Sequence, residues 1–319
     1  MSSINTIVLD KVVDPGIKKH FVDGYKQLKP KIDLIFKTDK QTSLNDVYQN
    51  YTGIGQVSQV NEGGTYNEDS PIQAFGVTMT PVKYGKLIPI TYEIEKWSKT
   101  KEIFDAANML GKATARHIEK NGASILNNSQ NTSYTSYTDN KPLGSTQHTR
   151  ADGGSSQSNA SSTGIILSDD NLETALLAME YQLDDRGEPI DMMASRLIIP
   201  PHLRKQALII TKSEKQSNTN DNNINVYNSM QQFYGTMEVL VWYYLGGPAG
   251  GSNTRWFLED QTQSKLMWNW ADKPQVKRDD SVGFKQDVVY FKGFYYAAKG
   301  WGDWRGMWVS AGDLQAYSN

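Results

Sequence analysis

Cysteine is absent from this chain of 319 residues. Its absence excludes disulfides, thiolate zinc sites, iron–sulfur clusters and cysteine nucleophiles. No apolar run approaches the roughly 20 residues that a transmembrane helix needs. The N-terminal stretch also lacks the basic and then apolar order of a signal peptide. We therefore expect a soluble protein of a reducing compartment, with no membrane partner.

The sequence also lacks a strong charge of either sign. Its net charge is -2, so it has no basic excess of the kind that drives nucleic-acid binding. Hydrophobic residues make up only 38% of the chain, which is low for a protein built around one large core. Aromatic residues are plentiful, with 8 Trp and 17 Tyr.

Histidine is scarce, and no two histidines have metal-ligand spacing. We expect each to lie on the surface or along a helix; they are His20, His117, His148 and His202. One acidic neighbourhood could mimic a glycosidase pair or a hard-cation site. It comprises Asp184, Asp185, Glu188 and Asp191. The EF-hand spacing is missing, and we favour a solvated turn around Gly187. No catalytic, cofactor-binding or metal-binding residue is predicted, and we expect no cofactor and no enzymatic activity.

The first 92 residues read as an arm followed by a hairpin. Alternation at Phe75, Val77 and Met79 resumes at Ile88 and Ile90, which predicts two strands. We interpret residues 53–92 as one long β-hairpin. An isolated hairpin is marginally stable in water, so we expect it to lie on a neighbouring subunit.

A long helix is predicted over residues 101–127. Small and apolar residues recur there at helical spacing, and the stripe includes Gly111 and Gly122. Each glycine costs about 1 kcal/mol in helix propensity, which indicates that another backbone approaches closely. Glu119 is expected to lie off this stripe.

The rest of the chain alternates polar tracts with structured segments. Residues 128–164 and 212–229 read as long loops. Ser168 predicts a helix N-cap, and "RLIIPP" predicts a buried strand before a short helix. Segments after residue 237 read as strands, so the fold class is α+β.

Six of the eight tryptophans follow residue 250: Trp256, Trp268, Trp270, Trp301, Trp304 and Trp308. They could form a sugar-stacking platform, or they could be sheet core and subunit contacts. We favour core and contact. The competing functional hypothesis is a carbohydrate-binding or carbohydrate-cleaving protein that uses Asp184, Asp185 or Glu259 as acids.

Three segments, in this order, resemble the major capsid proteins of tailed bacteriophages, which have the Hong Kong 97-like fold. They are "VNEGGTYNEDSPIQAFGVTMTPVKYGKLIPITYEI", "FDAANMLGKATARHIEKNGASIL" and "LSDDNLETALLAMEYQLDDRGEPIDMMASRLIIPPHLRKQAL". They look like the family's extended loop, its spine helix, and its axial-domain helix with the following strand. The closing stretch "KGWGDWRGMWVSAG" is similar to Mu-like heads.

The resemblance implies a domain plan for the chain. Residues 1–51 would be the N-terminal arm, 52–92 the extended loop and 93–127 the spine helix of the peripheral domain. Residues 128–285 would be mainly the axial domain, and 286–319 would return as strands to the peripheral domain. Lys83 and Lys86 lie in the region where some members carry a crosslinking lysine; no crosslink partner is identified.

The same resemblance implies a structural function. Copies of the chain would assemble as pentamers and hexamers into an icosahedral shell that encloses double-stranded DNA without sequence-specific binding. We expect a separate scaffolding protein and a portal, and decoration proteins as further partners. The expected location is the virion, with assembly in the bacterial cytoplasm. A third hypothesis is another phage shell or tube component.

Overall fold

A computed structural model describes residues 14–28, 30–91, 93–94, 100–213, 237–279 and 288–317. They form two compact units. The first unit takes the described residues of 1–46, 79–122 and 268–299, and the second takes those of 47–78, 123–267 and 300–319. Each unit therefore combines stretches that are far apart in the sequence.

Five α-helices are assigned within the described residues. In chain order they are α1 (Asp14–Lys26), α2 (Ile32–Ile35), α3 (Thr100–Asn127), α4 (Asp169–Glu180) and α5 (Arg204–Lys212). Short 3-10 helices occupy Pro201–Leu203, Tyr243–Leu245 and Gly247–Ala249. At 1.5 Å per residue α3 is about 42 Å long, which confirms the predicted long helix.

Ten strands are assigned in the same residues. They are β1 (Lys37–Lys40), β2 (Asp46–Tyr51), β3 (Gln73–Met79), β4 (Val82–Thr91), β5 (Arg196–Ile199), β6 (Glu238–Val241), β7 (Trp256–Glu259), β8 (Leu266–Asp279), β9 (Val288–Trp301) and β10 (Met307–Ser310). They form two four-stranded sheets, ordered β1-β8-β9-β4 and β10-β7-β5-β6, and a two-stranded sheet of β2 and β3.

The first unit packs α1 and α3 on one face of the sheet β1-β8-β9-β4. Their shared core consists of Ile17, Phe21, Ile90, Ile103, Ala107, Leu110, Val276 and Phe291. Strand β4 runs antiparallel to β9, in register from Val82 opposite Ala297 to Thr91 opposite Val288. Side chains alternate between the faces of a strand, so the neighbours of these core residues lie on the face away from the helices.

Gly111 of α3 allows another backbone to approach closely, as predicted, whereas Gly122 makes room for side chains instead. A Cβ on Gly111 would lie 2.1 Å from the carbonyl oxygen of Phe21 in α1. A Cβ on Gly122 would lie 2.9 Å from the side chain of Ile32 in α2. The approaching segments belong to the chain's own first 36 residues.

Glu119 does not lie off the packed stripe, so that expectation is wrong. Its side chain is buried, and its Oε1 accepts hydrogen bonds from the backbone N–H groups of Lys31, at 2.6 Å, and Ile32, at 3.3 Å. These N–H groups stand at the start of α2, where helix geometry leaves donors without partners. Helical spacing placed Glu119 off the stripe but could not show that α2 begins against it.

The hairpin predicted over residues 53–92 has the wrong pairing. Strand β3 pairs with β2, whereas β4 pairs with β9 in the larger sheet. Residues 52–72 therefore connect β2 to β3. Alternation of apolar and polar residues identified both strands, but it contains no information about which strand lies beside which.

The second unit packs α4 and α5 on the sheet β10-β7-β5-β6. Strand β5 is parallel to β6 and antiparallel to β7, and β10 is antiparallel to β7. The core includes Leu172, Met179, Leu197, Ile199, Ala207, Trp256, Leu258 and Trp308. Ser168 caps α4 as predicted, because its side chain accepts a hydrogen bond from the backbone N–H of Asn171.

Residues 128–164 are irregular, as predicted, but buried polar side chains order them. The fully buried Asn159 donates from Nδ2 to the carbonyl oxygens of Leu143, Trp304 and Met307, at 2.8, 3.2 and 3.1 Å. Its Oδ1 accepts from the backbone N–H of Ser145 at 2.9 Å. Hydrogen bonds to buried polar side chains thus order this stretch, whereas the burial of apolar side chains orders a hydrophobic core.

Most of the polar tract 212–229 lies outside the described residues. Within the described residues, none of the helices combines the length and the apolar character that a membrane crossing requires.

Candidate assembly surfaces

Residues 53–72 are exposed in this chain, apart from Gly55 and Val60, which are partly exposed. Four large apolar side chains stand in the solvent: Ile54 is 66% exposed, Val57 98%, Tyr66 80% and Ile72 45%. Exposure of apolar surface to water is unfavourable, and exposed apolar residues close together in a segment commonly mark a contact site. We call residues 53–72 the exposed segment.

Hydrogen bonds hold the two ends of the exposed segment together. The backbone N–H of Thr52 donates to the carbonyl of Ile72, and the N–H of Ile72 donates to Oγ1 of Thr52, both at 2.9 Å. The N–H of Gly55 donates to Oδ2 of Asp69 at 2.7 Å. This hydrogen bond favours the ionised carboxylate and lowers the pKa of Asp69 below its usual value.

Arg186 also fixes the base of this segment. Its Nη2 donates to the carbonyl of Ser70 at 2.7 Å and pairs with Asp69 at 3.2 Å. The turn that presents Arg186 is built by Asp184, whose Oδ1 accepts from the N–H groups of Arg186 and Glu188 at 2.7 and 2.9 Å. Gly187 closes that turn with a φ of +82°, a conformation that favours glycine.

The four clustered carboxylates do not converge on one site. Asp184 caps its own turn, Glu188 accepts from Gln56 at 2.6 Å, and Asp191 is exposed. Asp185 is buried and pairs with Arg305 at 3.0 Å, so its expected place in a solvated turn is wrong. In the described residues no three His, Asp or Glu side chains are grouped to hold a metal ion.

Glu259 is equally unsuited to act on a substrate. It is only 1% exposed in β7 and pairs with Arg196 at 3.0 Å. Burial raises the pKa of Glu259 above its usual value, and the Arg196 guanidinium partly opposes this shift. A raised carboxyl pKa suits a general acid, but this carboxyl group is closed off from solvent.

His148 lies in the interior, which contradicts the expectation that it is a surface or helix residue. Its Nδ1 lies 2.7 Å from Oδ2 of Asp139 and its Nε2 lies 3.2 Å from Oδ1 of Asn159. The ring stacks on Trp304 with centroids 4.2 Å apart. This group ties the polar stretch 139–159 to residue 304, and it has no opening to solvent because His148 is fully buried.

The other histidines are where they were expected. His202 is exposed, and His20 and His117 lie on α1 and α3. Nδ1 of His117 is 2.7 Å from the hydroxyl of Tyr295. Burial, together with the charge of Lys299, lowers the pKa of His117.

Five of the six tryptophans after residue 250 are core residues, as favoured, and the sixth, Trp270, is partly exposed but packs edge-on against Trp268 and Tyr295. At most 3% of each of five side chains is exposed: Trp256, Trp268, Trp301, Trp304 and Trp308. Sugar stacking requires an open ring face, so these five residues offer no platform. The carbohydrate hypothesis therefore loses the feature that suggested it.

A basic cluster surrounds Phe294 on the sheet face away from the helices. The Nζ atoms of Lys83, Lys277 and Lys292 lie 4.7, 5.4 and 5.8 Å from the centroid of its ring. All three lysines are exposed. Sequence reasoning noted Lys83 but missed Lys277 and Lys292. Their position directly after the core residues Val276 and Phe291 was the available signal, but only strand pairing brings β4, β8 and β9 together.

A comparison with protein-family models matches residues 76–310 to the family described as phage capsid protein. The match covers more than two thirds of the chain. The chain belongs to the phage capsid protein family. It is therefore a structural protein of the virion, as the resemblance implied, and this supports the expectation of a non-enzymatic protein. A search of curated proteins found no matching relative.

Solved structures show that this capsid protein has the Hong Kong 97-like fold. A chain of Microbacterium phage Oxtober96 is similar with a TM-score of 0.54 at 12% identity, covering 88% of this chain and 90% of that one. The capsid of an empty GTA particle gives 0.53 at 11% identity, with 91% and 90% covered. The capsid of Myoviridae phage XM1 gives 0.50 at 12% identity, with 87% and 89% covered. Membership of the Mu-like subgroup stays a prediction.

Proposed function

We propose that this capsid protein is the major head subunit of a tailed phage. Copies assemble as pentamers and hexamers into an icosahedral shell that encloses double-stranded DNA. The exposed segment carries the proposal: it places Ile54, Val57 and Tyr66 in solvent although the chain belongs to a capsid family. In the shell this segment lies on a neighbouring subunit, which supplies the cover that its own chain lacks.

The division into two compact units supports a domain plan of the kind that the family resemblance implies. We assign the first unit to the peripheral domain, with α3 as its spine helix, and the second unit to the axial domain. The extended loop is then β2, β3 and the exposed segment between them. These boundaries replace the predicted ones at three places, because β2 pairs with β3 and β4 with β9, β8 shares a sheet with β9, and β10 shares a sheet with β7.

The composition supports a shell subunit for a physical reason. A subunit that buries much of its apolar surface against copies of itself needs fewer apolar residues in its own core. The net charge of -2 fits a wall that must not hold packaged DNA tightly, because a strongly basic wall would bind phosphates of any sequence.

The remaining partners follow from this role. We propose that a separate scaffolding protein directs assembly in the host cytoplasm, that a portal occupies one vertex, and that decoration proteins bind the finished shell. The protein acts without a cofactor and catalyses no reaction.

The test begins with particle formation. The chain should be expressed alone and together with the other head proteins of its phage, and examined by size-exclusion chromatography and negative-stain microscopy. We expect closed shells or capsomers. A monodisperse monomer under both conditions would contradict the proposed function.

A deletion then tests the exposed segment. In the deletion variant, Gly-Ser-Gly replaces residues 54–70. Its thermal unfolding temperature should lie within a few degrees of that of the wild type, since the removed residues bury little surface in the free chain. It should nevertheless form no particles. A matched control deletes Ser155 and Ser156 from another exposed loop and should assemble. Normal particles from the first variant would show that the segment makes no assembly contact.

Protease accessibility gives a second measurement on the unaltered protein. Glu-C should cut the free chain at Glu62 and Glu68, which are exposed. The same bonds should be protected in assembled particles. Equal cleavage rates in both states would contradict the burial of this segment between subunits.

A further inference from the structure

Three ammonium groups converge on one aromatic ring in the first unit. Lys83, Lys277 and Lys292 each place Nζ within 5.8 Å of the centroid of Phe294. Only 4% of Phe294 is exposed, because the ring lies beneath the lysine side chains. We call these four residues the lysine cluster.

The strands explain why the cluster lies on an open face. Ile90, Val276 and Phe291 point into the core with α1 and α3, so Lys277 and Lys292, next to them in sequence, point to the opposite face. Gly85 stands directly across from Phe294 in the β4–β9 register. Its missing side chain leaves room there, since a Cβ would lie 3.0 Å from Cβ of Phe294.

The charges of the cluster are not balanced within the described part of the chain. No carboxylate of the described residues forms an ion pair with any of the three lysines. The aromatic ring attracts each cation, but it does not remove the repulsion among three ammonium groups that lie around one ring. An anionic partner that reaches these ammonium groups would relieve this repulsion.

The exposed segment has the matching chemistry. Glu62 and Glu68 are exposed and form no ion pair with a described residue, and Tyr66 between them is also exposed. Leu87, on the same face of β4 as Lys83, is 55% exposed. A partner that offers both carboxylates and apolar surface suits this face better than a phosphate backbone, which offers charge alone.

We propose that the lysine cluster of one subunit is the receiving site for Glu62 and Glu68 of a second copy. The proposal rests on the proposed function, in which the exposed segment lies on a neighbouring subunit, and it names the residues that receive it. About ten extended residues on each arm of the segment span roughly 33 Å, a reach that suits contact with another chain.

Charge reversal tests the contact. One variant, Lys277→Glu with Lys292→Glu, has an acidic face, and a second, Glu62→Lys with Glu68→Lys, has a basic segment. Each alone should lower particle yield at least tenfold, because like charges now meet. The free chains should keep their thermal unfolding temperature, since all four side chains are exposed.

Mixing the two variants is the decisive step. The basic segment of one variant matches the acidic face of the other, and the wild-type segment matches the wild-type face. A six-membered ring in which the two variants alternate has only matched contacts, so a one-to-one mixture should recover hexamers, seen by size-exclusion chromatography, that neither variant forms alone. The control, Lys101→Glu with Lys120→Glu, reverses two exposed lysines of α3 and should assemble without a partner variant.

Three results would overturn the proposal while leaving the proposed function intact. The mixture could fail although wild-type particles form. Hexamers could be absent from the mixture although a chain with all four changes assembles, which would place the contact within a subunit. The acidic-face variant could form normal particles but lose affinity for duplex DNA, which would assign the cluster to phosphate binding. Absence of wild-type particles would instead contradict the proposed function itself.

Discussion

The carbonyl oxygen of Phe21 in α1 lies against Gly111 of α3, at the place where any other residue would carry its side chain. A Cβ at position 111 would be only 2.1 Å from that oxygen. At the same crossing, a Cβ on Gly24 would lie 2.2 Å from the carbonyl oxygen of Asn108. The two helices therefore meet backbone against backbone, and a glycine on each of them makes this possible.

Gly111→Leu should destabilise the free chain by about 1–3 kcal/mol through overpacking. This loss should appear although Leu has the better helix propensity, by roughly 1 kcal/mol. Chemical denaturation measures the change. Ala113→Leu, at an exposed position two residues further along α3, is the matched control and should stay within about 0.5 kcal/mol of the wild type. Equal stability of the two variants would show that α1 does not pack on Gly111.

Asp185→Asn should destabilise the second unit, because the Arg305 guanidinium would lose its buried partner. We expect a loss of about 2 kcal/mol, less than for a fully broken buried pair, since Asp303 remains 3.4 Å from Arg305. Asp191→Asn, which alters an exposed carboxylate near by, should change the free energy of unfolding little. If the two variants unfold alike, the Asp185–Arg305 pair does not stabilise the fold.

Asn159→Ala should release the polar stretch from about residue 139 to 159. The substitution leaves three carbonyl oxygens and the Ser145 N–H without their partner, at a cost of roughly 3 kcal/mol. Trypsin should then cut after Arg150 much faster than in the wild type. Asn131→Ala, at an exposed asparagine, is the control. Unchanged cleavage at Arg150 would mean that other contacts order this stretch.

Lys299 makes stability depend on pH. Burial lowers its pKa from 10.5 to about 8, so between these values the unfolded chain binds more protons than the folded one. The free energy of unfolding should therefore rise from about pH 8 to pH 10 in the wild type relative to Lys299→Met, by on the order of 2 kcal/mol. Below about pH 8 the difference between the two proteins should be constant.

Denaturation curves at pH 7, 8, 9 and 10 measure this difference. Lys120→Met removes an exposed lysine of α3 and should follow the wild type at each pH. If Lys299→Met also follows it, the ammonium group of Lys299 is as well solvated in the folded chain as in the unfolded one.

Much of the local structure could be read from the sequence, because short-range patterns decide it. Helical spacing placed α3, the Ser168 cap placed the start of α4, and the apolar run before Pro200 placed β5. The small residues of α3 indicated close packing at Gly111 and Gly122, since glycine in a helix interior is otherwise unfavourable. The absence of cysteine excluded thiolate chemistry, and the scarcity of histidine argued against a metal site.

Tertiary structure decided which segments meet. Alternation identified β3 and β4 as strands, but their partners are β2 and β9, the latter about 200 residues away in sequence. The pairing of Asp185 with Arg305 and of Glu119 with the start of α2 likewise joins residues far apart in the chain. A carboxylate looks the same in a sequence whether it is solvated or buried against a distant guanidinium.

In the lysine cluster, too, the sequence determines the local positions and the fold determines the neighbours. The sequence determined that Lys83, Lys277 and Lys292 occupy strand positions directly next to apolar residues. Only the sheet order β8-β9-β4 brought their charges around Phe294. The physical reason is that a side chain's face follows from local backbone geometry, whereas its neighbours across a sheet follow from the free energy of the whole fold.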